Sequence, residues 1–163
     1  MKFLLVDDHP LFLDGLGNLL RTRGVEVVGT ARDGLEALNK ARALHPDVIL
    51  MDIQMPRCDG LCATRLITAE LPQIKIVMLT MSADDAHLFD AIRSGAVGYL
   101  LKTQDTEEFF ELLLDLARGD APLAPGIAAR ILGDYALHGP PDAQPAAAPE
   151  TTILTPRQVQ ILN

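Results

Sequence analysis

The chain is expected to fold as an α/β domain, a doubly wound parallel sheet of five strands with helices on both faces. Three observations point there: short apolar runs, longer amphipathic stretches between them, and strict alternation of the two along most of the row. Phe3 to Val6, Val48 to Met51 and Ile76 to Leu79 are continuous apolar runs, and Ile74 precedes the last of them. Val25, Val27 and Val28 form a β-branched cluster, and Val97 to Leu101 is broken only by Gly98. Runs of this kind suit strands covered on both faces, as in a parallel sheet.

The helices follow from spacing. Residues 10–23 place Leu11, Phe12, Leu16, Leu19 and Leu20 on one face, and residues 33–44 do the same with Leu35, Leu38, Ala41 and Leu44. Residues 59–70 carry Leu61, Leu66 and Ile67, residues 83–93 carry Ala86, Phe89 and Ile92, and residues 105–118 carry Phe109, Leu112, Leu113 and Leu116. Pro10 suits a first helical turn, and Asp105 with Glu108 reads as an N-cap with a reciprocal partner. Gly24, Gly95 and Gly119 stand where helix C-termini favour a left-handed residue. Each strand–helix–strand step then takes the right-handed crossover.

The pattern changes after Gly119. Residues 1–119 read as one domain and residues 120–152 as a linker with a helix over 125–138, through Ile127, Ile131, Leu132 and Tyr135. Residues 139–150 are rich in Pro and Ala. Residues 153–163 read as the start of a further helix, with Thr155 as N-cap and Pro156 at the first helical position. Nine residues cannot hold a helix alone, so a second domain is expected beyond them.

Composition narrows the function. A formal net charge of −8 argues against these 163 residues gripping a phosphate backbone. No apolar run approaches the ~20 residues that span a bilayer. Asp7 and Asp8 interrupt the N-terminal apolar stretch, so it is no signal peptide, and a cytoplasmic location without membrane contact is expected. Cys58 and Cys62 have helical spacing but no third or fourth ligand nearby, and read as two small helix residues in a reducing compartment, not as a zinc site.

In an open parallel sheet, ligands bind beyond the carboxyl ends of the strands. The first strand delivers Asp7 and Asp8 there, the third Asp52, the fourth Thr80 and the fifth Lys102. Two carboxylates ~5 Å apart repel by roughly 3 kcal/mol at an effective dielectric of about 20, so three would protonate, rearrange or recruit a cation. Magnesium tolerates a few carboxylates while keeping several waters. With it in place, one carboxylate can attack a phosphoryl group, while Lys102 and the Thr80 hydroxyl contact the phosphoryl oxygens. Each residue alone has a plainer role. A strand-end Asp is commonly a cap or turn residue (Asp8 ahead of Pro10 above all), and a lone Thr or Lys there is commonly solvated. The coincidence of all five at strand ends is what favours chemistry.

These residues carry a family resemblance. Val6-Asp7-Asp8-His9, Asp52-Ile53-Gln54-Met55-Pro56 with Asp59-Gly60, Leu79-Thr80, and Gly98-Tyr99-Leu100-Leu101-Lys102 together resemble the receiver domains of two-component response regulators, over residues 1–118. The resemblance implies the flavodoxin-like strand order 2-1-3-4-5, an order for which a receiver is among the known examples. It implies Mg2+ held by Asp8 and Asp52, by Asp7 mainly through water and by the Gln54 carbonyl, with Asp52 as phospho-acceptor. It further implies a histidine kinase as phosphohistidine donor and a switch in which Thr80 moves inward and Tyr99 changes rotamer. The chain would catalyse its own phosphorylation and slow autodephosphorylation, and would not be an enzyme with an external substrate. Leu154-Thr155-Pro156-Arg157-Gln158 and Ser94-Gly95-Ala96-Val97-Gly98-Tyr99 resemble the NarL/LuxR (FixJ) type, although Glu is common in that family where Gln158 stands. That type implies transcription regulation, with DNA bound only through the output domain, and leaves a phosphorylation-dependent homodimer open.

Other readings use the same architecture. An aspartate-nucleophile phosphatase wants a second acid two residues past the nucleophile, where this chain has Gln54. A nucleotide- or flavin-binding module has only Gly15-Leu16-Gly17 inside a helical pattern to support it, without a P-loop. A receiver fold kept only for dimerisation would not need the full acid set. Ser82 reads as an N-cap with Asp85 three residues on, or as a position that tunes dephosphorylation.

Overall fold

The structure is a computed structural model that describes residues 1–81, 85–119 and 122, all within one compact unit, Met1–Ile131. The helix expected over 125–138, the linker 139–150, the helix start at 153–163 and Ser82 lie outside the described residues.

Strands and helices alternate as the apolar pattern requires: β1 (Lys2–Val6), α1 (Pro10–Thr22), β2 (Glu26–Ala31), α2 (Gly34–Leu44), β3 (Val48–Asp52), α3 (Gly60–Glu70), β4 (Lys75–Thr80), α4 (Asp85–Ser94), β5 (Gly98–Leu101) and α5 (Thr106–Ala117). All neighbouring strands pair in parallel, in the order β2-β1-β3-β4-β5. β3 is buried along its whole length, whereas edge strand β2 is mostly half-buried. Gly29 and Thr30 lie within β2, which is why its sequence signal stops at Val28.

Two apolar layers sandwich the sheet. Leu4, Val6, Ile49, Met51, Ile76 and Met78 face Ala37, Ala41, Ala63, Ile67, Leu88 and Ala91 from α2, α3 and α4. The alternate residues Phe3, Leu5, Val48, Leu50, Val77 and Leu79 face Leu13, Leu16, Leu20, Phe109, Leu113 and Leu116 from α1 and α5. This period-two division places the helices on opposite faces. Past both layers the strands end at a polar carboxyl rim.

The caps position that rim. Asp33, Asp59 and Asp105 each cap a helix, accepting from Glu36 N, Cys62 N, and Glu107 N with Glu108 N. Gly24, Gly95 and Gly119 all have positive φ after their helices, as expected. His45 ends α2 in the left-handed region (φ 49°) without glycine. The cysteines depart from expectation. Cys58 lies on the β3–α3 loop, not on a helix, and it is joined to Cys62 of α3 by a disulfide. Among the described residues no helix is long and apolar enough to cross a membrane.

Candidate functional site: an acidic pocket at the carboxyl rim

The chain leaves β1 at Val6, and the Asp7 N–H bonds the Ala31 carbonyl at 3.0 Å, fixing the first acid at the sheet end. Asp7 is 1 % exposed. The helix that follows takes His9 as N-cap without a side-chain hydrogen bond, so Asp8 has no capping role and its carboxylate is available to the rim. Asp52 is the last residue of β3, in register with Leu79, and Thr80 ends β4. Both are buried. The Lys102 N–H bonds the Thr80 carbonyl at 2.7 Å, which extends the β4–β5 pairing by one residue and sends the Lys102 side chain into the rim.

There Lys102 Nζ lies 2.5 Å from Asp7 Oδ2 and 3.1 Å from Asp52 Oδ1. The Phe12 ring centroid is 4.6 Å from the same nitrogen, so an aromatic face covers the ammonium. One ligand atom from each of Asp7, Asp8, His9 and Asp52 lies within 4.8 Å of the others. His9 is the member the sequence reading missed. Its Nδ1 sits 3.0 Å from both Asp7 Oδ1 and Asp8 Oδ1. The nitrogen carries at most one proton, and the hydrogen bond it makes is to Asp7. Asp8 Oδ1 stays buried with no hydrogen bond.

Electrostatics follow from this crowding. Burial, and then the charge of Asp7, push the Asp52 carboxyl up to about 6, although Lys102 pulls the other way. Burial works to lower the Lys102 ammonium, but its hydrogen bond to Asp7 and the charge of Asp52 outweigh that and raise it. One ammonium cannot offset three carboxylates. An oxygen-lined pocket with surplus negative charge and a buried, unsatisfied carboxylate oxygen is suited to a hard divalent cation.

The loop after Asp52 is closely packed where it meets two glycines. A methyl group at Gly60 would overlap the Asp52 carbonyl, and the Gly60 N–H bonds the Ile53 carbonyl at 2.7 Å. A methyl group at Gly34 would overlap the Cys58 carbonyl, to which the Gly34 N–H donates at 2.8 Å. Arg57 adopts a left-handed φ of 66° and pairs with the buried Asp33. The hydrogen bond from Glu36 N, then Arg57, hold the Asp33 carboxyl below the usual range. Gln54 is exposed on this loop. Tyr99 is 1 % exposed, packed in the layer under α4, and its N–H bonds the Pro122 carbonyl.

Asp7, Asp8, Asp52 and Lys102 therefore meet in one pocket. Residues 3–114 match the response regulator receiver domain family. The chain belongs to the response regulator receiver family. As a receiver it is 38 % identical over 136 residues to the transcriptional regulatory protein LnrK of Bacillus subtilis (strain 168), a match covering 83 % of this chain and 62 % of LnrK. It is 35 % identical over 164 residues to the oxygen regulatory protein NreC of Staphylococcus carnosus (strain TM300), covering 99 % of this chain and 75 % of NreC. The chain thus spans only part of the length of these relatives. Among solved structures, a LuxR-family two-component response regulator from Aurantimonas sp. SI85-9A1 superposes with a TM-score of 0.77 at 32 % identity, covering 83 % of this receiver and 97 % of that chain.

Proposed function

We propose that this receiver takes a phosphoryl group from a phosphohistidine of a sensor kinase onto Asp52. The observation that carries the reading is the convergence of Asp7, Asp8 and Asp52 in one pocket, with Lys102 Nζ 3.1 Å from Asp52 Oδ1. In the transfer an Asp52 carboxylate oxygen attacks phosphorus, the phosphorus–nitrogen bond breaks, and the imidazole leaves with the bonding pair and is neutralised by a proton.

The residues fit Mg2+. Asp8 and Asp52 would ligate it, with Asp7 acting mainly through water and the Gln54 carbonyl as a further ligand. The unsatisfied Asp8 Oδ1 supports this set. His9 Nδ1 is engaged by Asp7, which favours oxygen donors and hence a hard cation. When bound, the cation offsets charge on the phosphoryl oxygens. Lys102, held now by two carboxylates, exchanges one of them for a phosphoryl oxygen, and the Thr80 hydroxyl donates to another. Tyr99 is the partner in the switch, its buried rotamer answering to the position of Thr80. The chain is then a self-modifying acceptor that loses the group slowly to water, not an enzyme that turns over an external substrate. In the whole protein the readout is transcription through a DNA-binding output domain, with residues 1–119 as receiver, 120–152 as linker and 153–163 opening that domain. A cytoplasmic location and a phosphorylation-dependent homodimer belong to the same reading.

Incubation with acetyl phosphate and Mg2+, followed by intact-mass measurement, tests it. One phosphoryl group is expected on the native chain, and none on Asp52→Asn or without the cation. A gain that survives Asp52→Asn would overturn the assignment, and rapid multiple turnover of a phosphomonoester would favour a phosphatase.

A further inference from the structure

We propose that Cys58 and Cys62 are a reversible redox-modification site. Their disulfide locks the loop between β3 and α3 and thereby speeds phosphorylation of Asp52. The effect on Asp52 rests on the receiver reading above; the redox site does not. The two Cα atoms are 5.5 Å apart, inside the range of ~4.4–6.8 Å that a disulfide accepts. The bond closes a ring over residues 58–62, which holds the N-cap Asp59 and the first turn of α3. That ring ends the segment that begins at Asp52 and carries Gln54.

Three hydrogen bonds meet at this clasp. Cys62 N donates to Asp59 Oδ1 at 2.8 Å, Gly34 N to the Cys58 carbonyl at 2.8 Å, and Gly60 N to the Ile53 carbonyl at 2.7 Å. The covalent link therefore acts in parallel with contacts that join the loop to α2 and to the end of β3. Where thiols are kept reduced, disulfides that form are characteristically transient and redox-sensing, which is the behaviour assigned here.

The accessibilities set the order of chemistry. Cys58 is 5 % exposed and packed with Met55 and Ala63, while Cys62 is partly exposed. A small-molecule disulfide therefore meets Cys62 first. The Cys62 thiolate attacks one of its sulfurs and expels one thiolate, giving a mixed disulfide. The Cys58 thiolate then attacks the Cys62 sulfur and expels the second. The chain loses two electrons and two thiol protons, and the small disulfide becomes two thiols. A dithiol reductant runs the same exchange in reverse.

The test uses the full chain equilibrated with oxidised glutathione or with dithiothreitol. Alkylation and mass measurement should count no free thiol in the first state and two in the second. Amide exchange at Gly34, Gly60 and Cys62 should be faster in the reduced state, between about threefold and the ~30-fold limit set by the closure entropy of so short a ring. The oxidised state should take phosphate from acetyl phosphate about threefold or more faster, as preorganisation requires. In Cys58→Ser/Cys62→Ser the two conditions should coincide at the reduced rate. Two alkylated thiols after oxidation, equal exchange in the two states, or equal phosphorylation rates would overturn the proposal. No phosphorylation in either state would instead overturn the receiver reading, and thiol counting with exchange would still decide the redox site.

Discussion

One residue separates the interior of the sheet from its carboxyl rim, and the two obey opposite rules. Leu4, Leu5, Ile49 and Leu50 are almost fully buried among aliphatic neighbours, so each removes apolar surface from water at no polar cost. Asp7 and Asp52, at the ends of the same strands, are also buried but bear carboxyl groups. The interior stabilises the fold, while the rim gives up part of that stability by crowding carboxylates together. Stability and reactivity are therefore separable along a single strand, and removing a rim carboxylate should move stability in the opposite direction from removing an interior side chain.

The largest effect is expected in the interior. Leu50→Ala removes a side chain that is 1 % exposed in the layer under α1 and α5 and should cost about 2–5 kcal/mol, read from the urea midpoint. Acetyl-phosphate labelling should persist wherever the variant is folded. A cost within the range of a surface substitution would mean that the interior does not bear the load assigned to it.

Lys102→Ala comes next. It strips Asp7 and Asp52 of their shared ammonium and leaves the acids facing one another, which should cost on the order of 2 kcal/mol at neutral pH. Added Mg2+ should recover stability in this variant by more than in the native chain, measured as the shift in melting temperature. An equal shift in both would show that the cation does not sit among these carboxylates.

Asp52→Asn should act in the opposite direction. The folded carboxyl is raised to about 6, above an unfolded value of ~3.9, so the folded state binds the proton more tightly. The contribution of Asp52 is fully favourable below the unfolded value and is lost as pH rises through about 6. The amide that replaces the carboxyl cannot ionise, so the variant should be more stable than native by roughly 1–2 kcal/mol at neutral pH, allowing for the lost Lys102 contact, with the gain absent below about pH 4. Mg2+ binding to the native chain should weaken as pH falls through about 6. Parallel melting curves from pH 4 to 8 check both, and a variant less stable than native at pH 8 would contradict the account.

The same boundary explains what could be read in advance. Strands buried on both faces appear in the row as unbroken apolar runs, and the first polar residue after each run marks the rim, so Asp7, Asp52, Thr80 and Lys102 were legible together. β2 was legible only in part, because an edge strand tolerates Gly29 and Thr30. His9 was missed because its role depends on where Nδ1 falls between two carboxylates, not on any spacing. The pairing of Asp33 with Arg57, 24 residues apart, has no local signal either. For the cysteines, helical spacing misled: Cys58 precedes the α3 N-cap, and the turn between the two residues brings the sulfurs together.

The smallest expected effect lies where interior and rim touch. Phe12 packs with the layer under α1 and α5 while its ring covers Lys102 Nζ at 4.6 Å, and it lines a cavity of about 300 Å3 with Leu79, Thr106 and Phe109. Phe12→Leu keeps an apolar side chain there and removes the aromatic face, so stability should fall by only about 0.5–1 kcal/mol. Freed of the ring, the ammonium should populate more orientations, and the rate of acetyl-phosphate labelling should fall severalfold, while Phe12→Tyr should keep it near native. A leucine variant that loses stability but labels at the native rate would place Phe12 wholly in the interior and redraw the boundary on the Lys102 side.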